Sequence, residues 1–339
     1  IIGLVADIRE SKNKNLIIEL EDLTGRISVL VNKDKDVYET AKQVVLDEVI
    51  AVKGVGNKEI IFASEIFFPE IAKPEVKKCN DDWNAVFIAD THIGSTEFLE
   101  QKFVKFIKWL NGEIGNDKVK QQAKKVKYLF IAGDLVEGVG IYPDQEDFLA
   151  IKDIVEQYKI LAEYLSMVRP DINIIVIPGN HDAVRLIEPQ PVFNQKFAKP
   201  LLDLDNVYAF PNPSTISVGV TDKFAGFNVL LYHGFSVHYF LDNVEMLRNQ
   251  PESKIFPFLL RKRHLAPVHG STLYYPSEND FLIIKKIPDI VVMGHLHKTF
   301  IEKYNGIYGM FASCWEGKTP EQERRGIEPD PAKALLFNS

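Results

Sequence analysis

The segment IVIPGNHDAV, residues 175–184, joins a β-like apolar run to a cluster of polar residues and decides how the rest of the chain is interpreted. A Pro-Gly pair ends the run, and Asn180, His181 and Asp182 follow in immediate succession. Polar side chains at the end of a buried strand cost free energy of desolvation unless something satisfies them. The segment therefore predicts a common partner for these side chains at the strand end.

Four other apolar runs of strand length also end in polar residues. Helical patterns over 97–110 and 148–168 lie between the runs. This alternation predicts an α/β domain with buried strands. Functional groups in open α/β sheets gather outside the carboxyl ends of the strands, so the clusters are expected to share one crevice. In chain order, the runs and the polar residues that follow them are Ala85–Ala89 with Asp90 and His92, Tyr128–Ala132 with Asp134, Ile172–Ile177 with Asn180, His181 and Asp182, Val229–Tyr232 with His233, and Ile290–Met293 with His295 and His297.

The residue types predict a metal centre. Two carboxylates, four imidazoles and one amide form a nitrogen and oxygen set that suits manganese, iron or zinc. A single ion cannot use seven ligands, and Asp134, alone in its loop, is the natural bridge between two ions. His181 would then face the substrate, and Asp182 would orient His181 or stabilise its charge. The predicted metal ligands are Asp90, His92, Asp134, Asn180, His233, His295 and His297.

Each cluster taken alone has a structural interpretation. An Asp-x-His or Gly-Asp pair is common in surface turns, and Asn180 or Asp182 could cap a helix. A single His233 is more often a buried, hydrogen-bonded histidine than a ligand. The occurrence of all five clusters, each after an apolar strand, favours the metal site.

The first part of the chain predicts five short strands with a helix over 36–45 after the third, an arrangement typical of an OB-fold barrel. The expected domains are 1–75 for the barrel, 76–84 for a linker and 85–339 for the α/β domain. OB-folds often bind oligonucleotides, but these strands carry no aromatic ladder. Nucleic-acid contact and a structural or partner-docking role both remain open.

Composition limits the class of protein. The chain has 339 residues, of which 46% are hydrophobic, and a formal net charge of -7, which argues against binding nucleic acid through overall charge. Two cysteines exclude a disulfide framework and a cysteine-based zinc cluster, and no apolar stretch is long enough to span a membrane. A soluble, cytoplasmic protein is expected. Because the chain starts at Ile1 within a strand pattern, we also expect it to be part of a longer protein.

The order D-x-H, G-D, G-N-H-D, H and G-H-x-H resembles the calcineurin-like metallophosphoesterases from about residue 85 to the end. This resemblance implies a β-sandwich flanked by helices, and it identifies His181 as the histidine that assists the leaving group. It also divides the ligands between two ions. The first ion is expected on Asp90, His92, Asp134 and His297, and the second on Asp134, Asn180, His233 and His295.

The order of barrel and phosphoesterase domain, with LLRKRHLAP at 259–267 and IPDIVVMGHLHK at 287–298, resembles the small subunits of archaeal family D DNA polymerases. The resemblance implies a 3′-to-5′ proofreading exonuclease that uses two divalent ions, expected to be manganese, with iron or zinc as alternatives. It implies a large polymerase subunit and a DNA 3′ end as partners, and the sliding clamp through the holoenzyme. Protein phosphatases of the superfamily carry Asp-Arg-Gly after Gly-Asp, whereas this chain has Leu135-Val136-Glu137-Gly138.

Two other functions remain open. Related second subunits of eukaryotic polymerases are scaffolds with degraded ligands, and a stand-alone phosphodiesterase would need the same metal site. The basic run Arg261-Lys262-Arg263 could hold a DNA backbone, although a solvated face or a subunit contact is the commoner role.

Overall fold

The computed structural model describes residues 1–248, 250–324 and 326–339. The chain forms two compact units, each built from two separate segments. The first unit comprises Ile1–Lys73 and Ser236–Ile287, and the second comprises Pro74–Phe235 and Pro288–Ser339. The two domains expected from the sequence, 1–75 and 85–339, are each one continuous segment. The first unit instead combines the N-terminal segment with Ser236–Ile287.

A closed five-stranded barrel forms the N-terminal part of the first unit. Its strands pair in the order β1-β2-β3-β5-β4, and β1 also pairs with β4, which closes the barrel. This closed barrel confirms the predicted OB-fold. The helix of the barrel is shorter than predicted, because the turn after it is held by a hydrogen bond from the Val45 amide to the Glu48 carboxylate. The elements are β1 (Ile2–Glu10), β2 (Leu16–Asp22), β3 (Gly25–Val31), α1 (Val37–Ala41), β4 (Val49–Gly56) and β5 (Ile60–Phe67).

Helices from the second segment complete the first unit. The ammonium group of Lys262 lies 2.8 and 2.7 Å from the two carboxylate oxygens of Glu48, and both side chains are 2% exposed. Lys262 also lies 4.5 Å from the ring centres of Phe68 and Phe258. These contacts fix the helix that carries Lys262 to the barrel. The helices are α6 (Val237–Asn243), α7 (Glu245–Arg248), a 3-10 turn (Glu252–Lys254) and α8 (Ile255–Lys262).

Two five-stranded sheets pack face to face in the second unit, with apolar side chains of both sheets in one core. The sheet orders are β15-β6-β7-β8-β9 and β10-β11-β12-β14-β13. The strands are β6 (Asn84–Ile88), β7 (Val126–Ala132), β8 (Asn173–Ile177), β9 (Val207–Ala209), β10 (Ser214–Val218), β11 (Phe227–Leu231), β12 (Ile290–Met293), β13 (Phe300–Tyr304), β14 (Ile307–Phe311) and β15 (Leu335–Asn338).

Helices cover the outer face of the first sheet and form a second core with it. The helix predicted over 148–168 begins later, because the Asp153 side chain accepts hydrogen bonds from the amides of Val155 and Glu156 and so caps the helix there. None of the described helices is long and apolar enough to cross a membrane. The helices of this core are α2 (Glu100–Leu110), α4 (Ile154–Ser166) and α5 (Gln195–Leu202), and the second unit also has α3 (Asp117–Lys124), a 3-10 turn (Gln145–Phe148) and α9 (Pro320–Arg324).

The pairing of the strands accounts for the position of the functional loops. Strands β6, β7 and β8 run parallel, as do β11, β12 and β14. Parallel neighbours bring their carboxyl ends to one edge of a sheet. All five predicted apolar strands are present within one or two residues of their expected bounds, and the fold class of helix-flanked sandwich and barrel is confirmed.

Candidate metal centre

The first cluster of possible metal ligands combines loops after β6 and β12. Asp90, His92 and His297 each offer a ligand atom, and these atoms lie within 4.8 Å of one another. His297 Nε2 is 3.5 Å from an Asp90 carboxylate oxygen and 3.2 Å from His92 Nε2. All three side chains are buried. The structure therefore brings together three of the four ligands predicted for the first ion.

The second cluster combines the loops after β7, β8, β11 and β12. Ligand atoms of Asp134, His233 and His295 lie within 4.8 Å of one another. His233 Nε2 is 3.2 Å from Asp134 Oδ2 and 3.0 Å from Asn180 Oδ1. The four residues are those predicted for the second ion.

Asp134 connects the two clusters. Its Oδ2 atom lies 3.8 Å from His92 Nε2 in the first cluster and 3.2 Å from His233 Nε2 in the second. The backbone amide of His295 donates to both carboxylate oxygens of Asp90, each at 3.0 Å, which joins the clusters a second time. A carboxylate between two ligand groups is the arrangement that a bridging ligand requires.

The hydrogen bonds of His233 show that its surroundings fit a cation. Its Nδ1 atom lies 2.9 Å from the Ala132 carbonyl oxygen, which can only accept, so Nδ1 carries a proton. In the neutral ring, Nε2 then presents a lone pair to two oxygens, one each from Asn180 and Asp134. One positive ion would satisfy all three electron-rich atoms, the ring nitrogen and the two oxygens. A metal-bound histidine is also typically fixed through its second ring nitrogen, as His233 is here by the Ala132 carbonyl.

The electrostatic field at the ring nitrogens also favours positive charge. Burial disfavours the charged form of His92, but the carboxylates of Glu316 and Glu137 outweigh burial and raise its pKa to about 10. In the same way, burial opposes the charge on His233, while Asp134 raises its pKa to about 9. Burial would raise the pKa of Asp134, yet His233 and His181 hold it well below the usual range. A buried site that attracts protons this strongly also suits divalent ions.

Five of the seven predicted ligands have left-handed backbone conformations. The φ angles lie between 45° and 71°, a region that non-glycine residues rarely adopt. Such strain persists only where the surrounding structure enforces it, and it concentrates at functional sites. The five residues are Asp90, His92, Asp134, His295 and His297.

Two glycines allow the carboxylates to lie directly against the backbone. A Cβ atom at Gly179 would collide with a carboxylate oxygen of Asp134, and one at Gly294 would come within 2.5 Å of Asp90 Oδ2. Side chains larger than hydrogen would therefore displace a ligand from either cluster.

Glu137 links a predicted ligand to the predicted catalytic histidine. Its Oε2 atom lies 2.7 Å from His92 Nδ1, and its backbone carbonyl accepts a hydrogen bond from His181 Nδ1 at 2.8 Å. Tyr142 and Gln145 donate to Oε1, which holds the carboxylate in place. Glu137 was not among the predicted site residues, although its position three residues after Asp134 was the available signal.

Asp182 has a different environment from the one predicted. Its Oδ2 accepts from the amides of Gly179 and Leu135, and its Oδ1 accepts from the Tyr158 hydroxyl. Burial and the charge of Asp134 raise the pKa of Asp182 to about 7. Asp182 therefore ties the loop after β8 to the loop after β7. Asp182 was predicted to orient or to stabilise charge, whereas the contact that fixes the ring of His181 is with the Glu137 carbonyl.

Two further residues support His297. The side-chain amide of Gln322 lies 2.7 Å from His297 Nδ1, and Glu316 Oε1 lies 3.5 Å from the same nitrogen. Burial raises the pKa of Glu316, and its Oε2 atom has no hydrogen-bond partner among the described residues. No cluster motif marked Glu316 in the sequence, because its position depends on how the C-terminal segment packs, whereas Gln322 lies in the tail that resembles the family D small subunits.

The fold and the site together define a helix-flanked β-sandwich in a chain that also forms an OB-fold barrel, with a candidate site for divalent ions at the strand ends of the sandwich. A family model for the B-type subunits of DNA polymerases alpha and epsilon matches residues 85–302. A second model, for an OB-fold nucleic acid binding domain, matches residues 1–59.

Curated relatives specify the family further. A DNA polymerase II small subunit from Methanothermobacter thermautotrophicus is 40% identical over 340 residues, which cover all of this chain and 69% of the relative. One from Pyrococcus furiosus is 39% identical over all of this chain and 55% of the relative. The chain belongs to the family of archaeal DNA polymerase II small subunits, and it spans between about half and two thirds of the length of these relatives.

Among solved structures, vacuolar protein sorting 29 from Cryptosporidium parvum aligns with a TM-score of 0.35 and 17% identity. The alignment covers 76% of this chain and 86% of that protein. A structure described as a novel archaeal phosphodiesterase aligns with a TM-score of 0.34 and 13% identity, over 76% of this chain and 99% of that one.

Proposed function

We propose that this polymerase small subunit is a two-metal 3′-to-5′ DNA exonuclease that removes misincorporated nucleotides. One observation carries the proposal. Seven side chains from five loops meet in two adjacent clusters, and every position of the ligand set expected for such an enzyme holds a residue that can bind a metal. A scaffold has no need for a complete ligand set, of which five side chains are buried and two, Asn180 and His295, are partly buried.

Manganese is the expected ion at both positions, with iron or zinc as alternatives, because the ligands are nitrogen and oxygen without sulfur. When bound, two such ions activate water and stabilise negative charge on phosphoryl oxygens. The first would be held by Asp90, His92, Asp134 and His297. The second would be held by Asp134, Asn180, His233 and His295.

His181 is the proposed general acid. Its Nδ1 atom donates to the Glu137 carbonyl, which fixes the ring and leaves Nε2 to exchange a proton with the substrate. The departing 3′ oxygen needs such a proton as the phosphodiester breaks. The ring of His181 lies 4.7 Å from that of His92, centre to centre, and this distance supports a role for His181 beside the first cluster.

The proposed partners are a large subunit with the polymerase site and the 3′ end of a DNA primer. Contact with a sliding clamp through the holoenzyme and a cytoplasmic location remain predictions. The barrel matches a family of nucleic acid binding OB-folds, and whether it contacts DNA or only the large subunit is part of the same proposal.

The test is digestion of an end-labelled primer with a 3′ mismatch, in manganese, with and without the co-purified large subunit. We expect loss of single nucleotides from the 3′ end, and no digestion by an Asp134→Ala control. Absence of digestion with manganese, iron or zinc would favour a scaffold. Hydrolysis of small phosphodiesters without any digestion of DNA would favour a stand-alone phosphodiesterase.

A further inference from the structure

A cavity of about 660 Å³ borders the candidate metal centre on the side of His181. His181 and Asp182 form part of its wall, and the opposite walls are mainly apolar. Its volume lies in the range of sites that enclose small organic groups. The cavity belongs to the second unit and lies next to the predicted metal ligands without including them. Its lining includes Val139, Ile141, Val192 and Phe197, with Arg185 as its cationic residue.

The apolar wall is held in place by buried hydrogen bonds. Gln190 is buried, and its side-chain amide donates to the carbonyl of Gly179 at 2.9 Å. The hydroxyl of Tyr158 accepts from the Ala183 amide and donates to Asp182. The segment that forms the wall is therefore tied to the same loop that carries Asn180 and His181, so cavity and site are positioned together.

We infer that this cavity receives the base and sugar of the penultimate nucleotide, which is the leaving group of the proposed reaction. The inference rests on the proposed function. Hydrolysis of the last phosphodiester breaks the bond between phosphorus and the 3′ oxygen of the penultimate nucleotide, and water supplies the new oxygen on phosphorus. The terminal nucleotide leaves as a 5′ monophosphate, and the 3′ oxygen takes its proton from His181.

The position of His181 decides which nucleotide the cavity holds. An acid must lie on the leaving-group side of the phosphorus, so a cavity that shares His181 with the site is on that side as well. The ring of Phe197 and the valines offer a surface on which any base can stack, which suits an enzyme that must accept all four bases. Arg185 provides positive charge for the backbone phosphate that precedes the penultimate nucleotide.

The test uses three single-stranded oligonucleotides with the complex as purified. One is intact, one has an abasic residue at the 3′ terminus, and one has an abasic residue at the penultimate position. We measure kcat/KM for removal of the first nucleotide. Loss of the penultimate base should lower this value about tenfold, as expected when one base stack is lost, and loss of the terminal base should have a smaller effect.

Two variants test the cavity itself. Val192 is 42% exposed in the cavity wall, so Val192→Trp should fill the space without disturbing the core. The added ring should then take the place of the base. The penalty for a penultimate abasic residue should therefore fall below about threefold. The matched control is Val220→Trp, at a valine that is 59% exposed and does not line the cavity, and it should keep the full penalty.

The outcomes separate the two proposals. The cavity assignment would be overturned if the intact oligonucleotide is digested but the two abasic substrates show equal penalties. It would also be overturned if the full penalty persists in Val192→Trp. In both cases the exonuclease proposal would stand. If the intact oligonucleotide is not digested in any metal, both proposals fail together.

Discussion

Nε2 of His92 lies 3.2 Å from Nε2 of His297, and both rings are buried. Two ring nitrogens at this distance can share one proton or bind one cation, but two protons cannot occupy the space between them. Glu137 and Gln322 contact the Nδ1 atoms of the two rings and so direct both Nε2 atoms inward. This pair is the structural basis of the first proposed ion position.

Metal content should depend on which ligand is removed. His297→Ala deletes a residue of the first cluster only, so we expect one ion per chain to remain. Asp134→Ala deletes the residue between both clusters, so we expect both ions to be lost. Elemental analysis after dialysis against manganese measures the stoichiometry. Two ions per chain in Asp134→Ala would contradict the bridging role.

Metal affinity should rise with pH. In the metal-free protein the pKa of His92 is about 10 and that of His233 about 9, so both rings carry protons at neutral pH that an ion must displace. The apparent association constant should therefore increase as the pH rises from about 6 to about 8, by about tenfold per pH unit for each proton displaced. Calorimetry in buffers of different ionisation enthalpy counts the protons released, and a count of zero would refute this expectation.

The positions of the proposed ligands could be predicted from sequence, because each follows a continuous apolar run that is typical of a buried parallel strand. Asp90 and His297 are far apart in the chain, yet both come directly after parallel-paired strands. The residues behind the ligands could not be predicted in this way. Glu137 reaches His92 from a different strand end, and Glu316 reaches His297 through the packing of the C-terminal segment. Such contacts depend on tertiary structure and leave no local pattern.

His181→Ala should lower turnover and leave the metal content unchanged. His181 contacts Glu137 through Nδ1 but belongs to neither proposed ligand set. Removal of a general acid typically lowers the rate by about 10²- to 10⁴-fold. Single-turnover digestion of a labelled primer measures the loss, and elemental analysis serves as the control. A substrate with a nitrophenolate leaving group, which needs no proton, should lose much less activity, and equal losses on both substrates would argue against the acid role.

Glu137→Ala should weaken metal binding without removing a ligand. The carboxylate fixes the ring of His92 through Nδ1, and loss of such an outer contact typically reduces metal affinity by about 10- to 100-fold. Titration with manganese, followed by calorimetry, measures the change. Glu163→Ala, at an exposed glutamate on α4, is the matched control and should bind manganese as tightly as the unmodified protein. An unchanged affinity in Glu137→Ala would show that His92 is oriented by other contacts.

The basic run at 261–263 shows how tertiary packing can override a local charge pattern. The sequence favoured a solvated face or a subunit contact over a DNA contact, but Lys262 is buried against Glu48, which lies 214 residues earlier in the chain. Burial lowers the pKa of Lys262 to about 8 and raises that of Glu48, so each depends on the other to remain charged. A buried charge without its partner is strongly destabilising, whereas an apolar pair of similar volume is often tolerated.

A double-mutant cycle on Glu48 and Lys262 tests this interdependence. Glu48→Leu and Lys262→Met should each destabilise the first unit by about 3 to 5 kcal/mol, because each leaves one buried group without its ion partner. The double variant should cost far less than the sum of the two. Hydrogen exchange of the amides in β4 reports on this unit. The three tryptophans all lie in the second unit, and their fluorescence provides an internal control. Additive losses would mean that the two charges stabilise the unit independently.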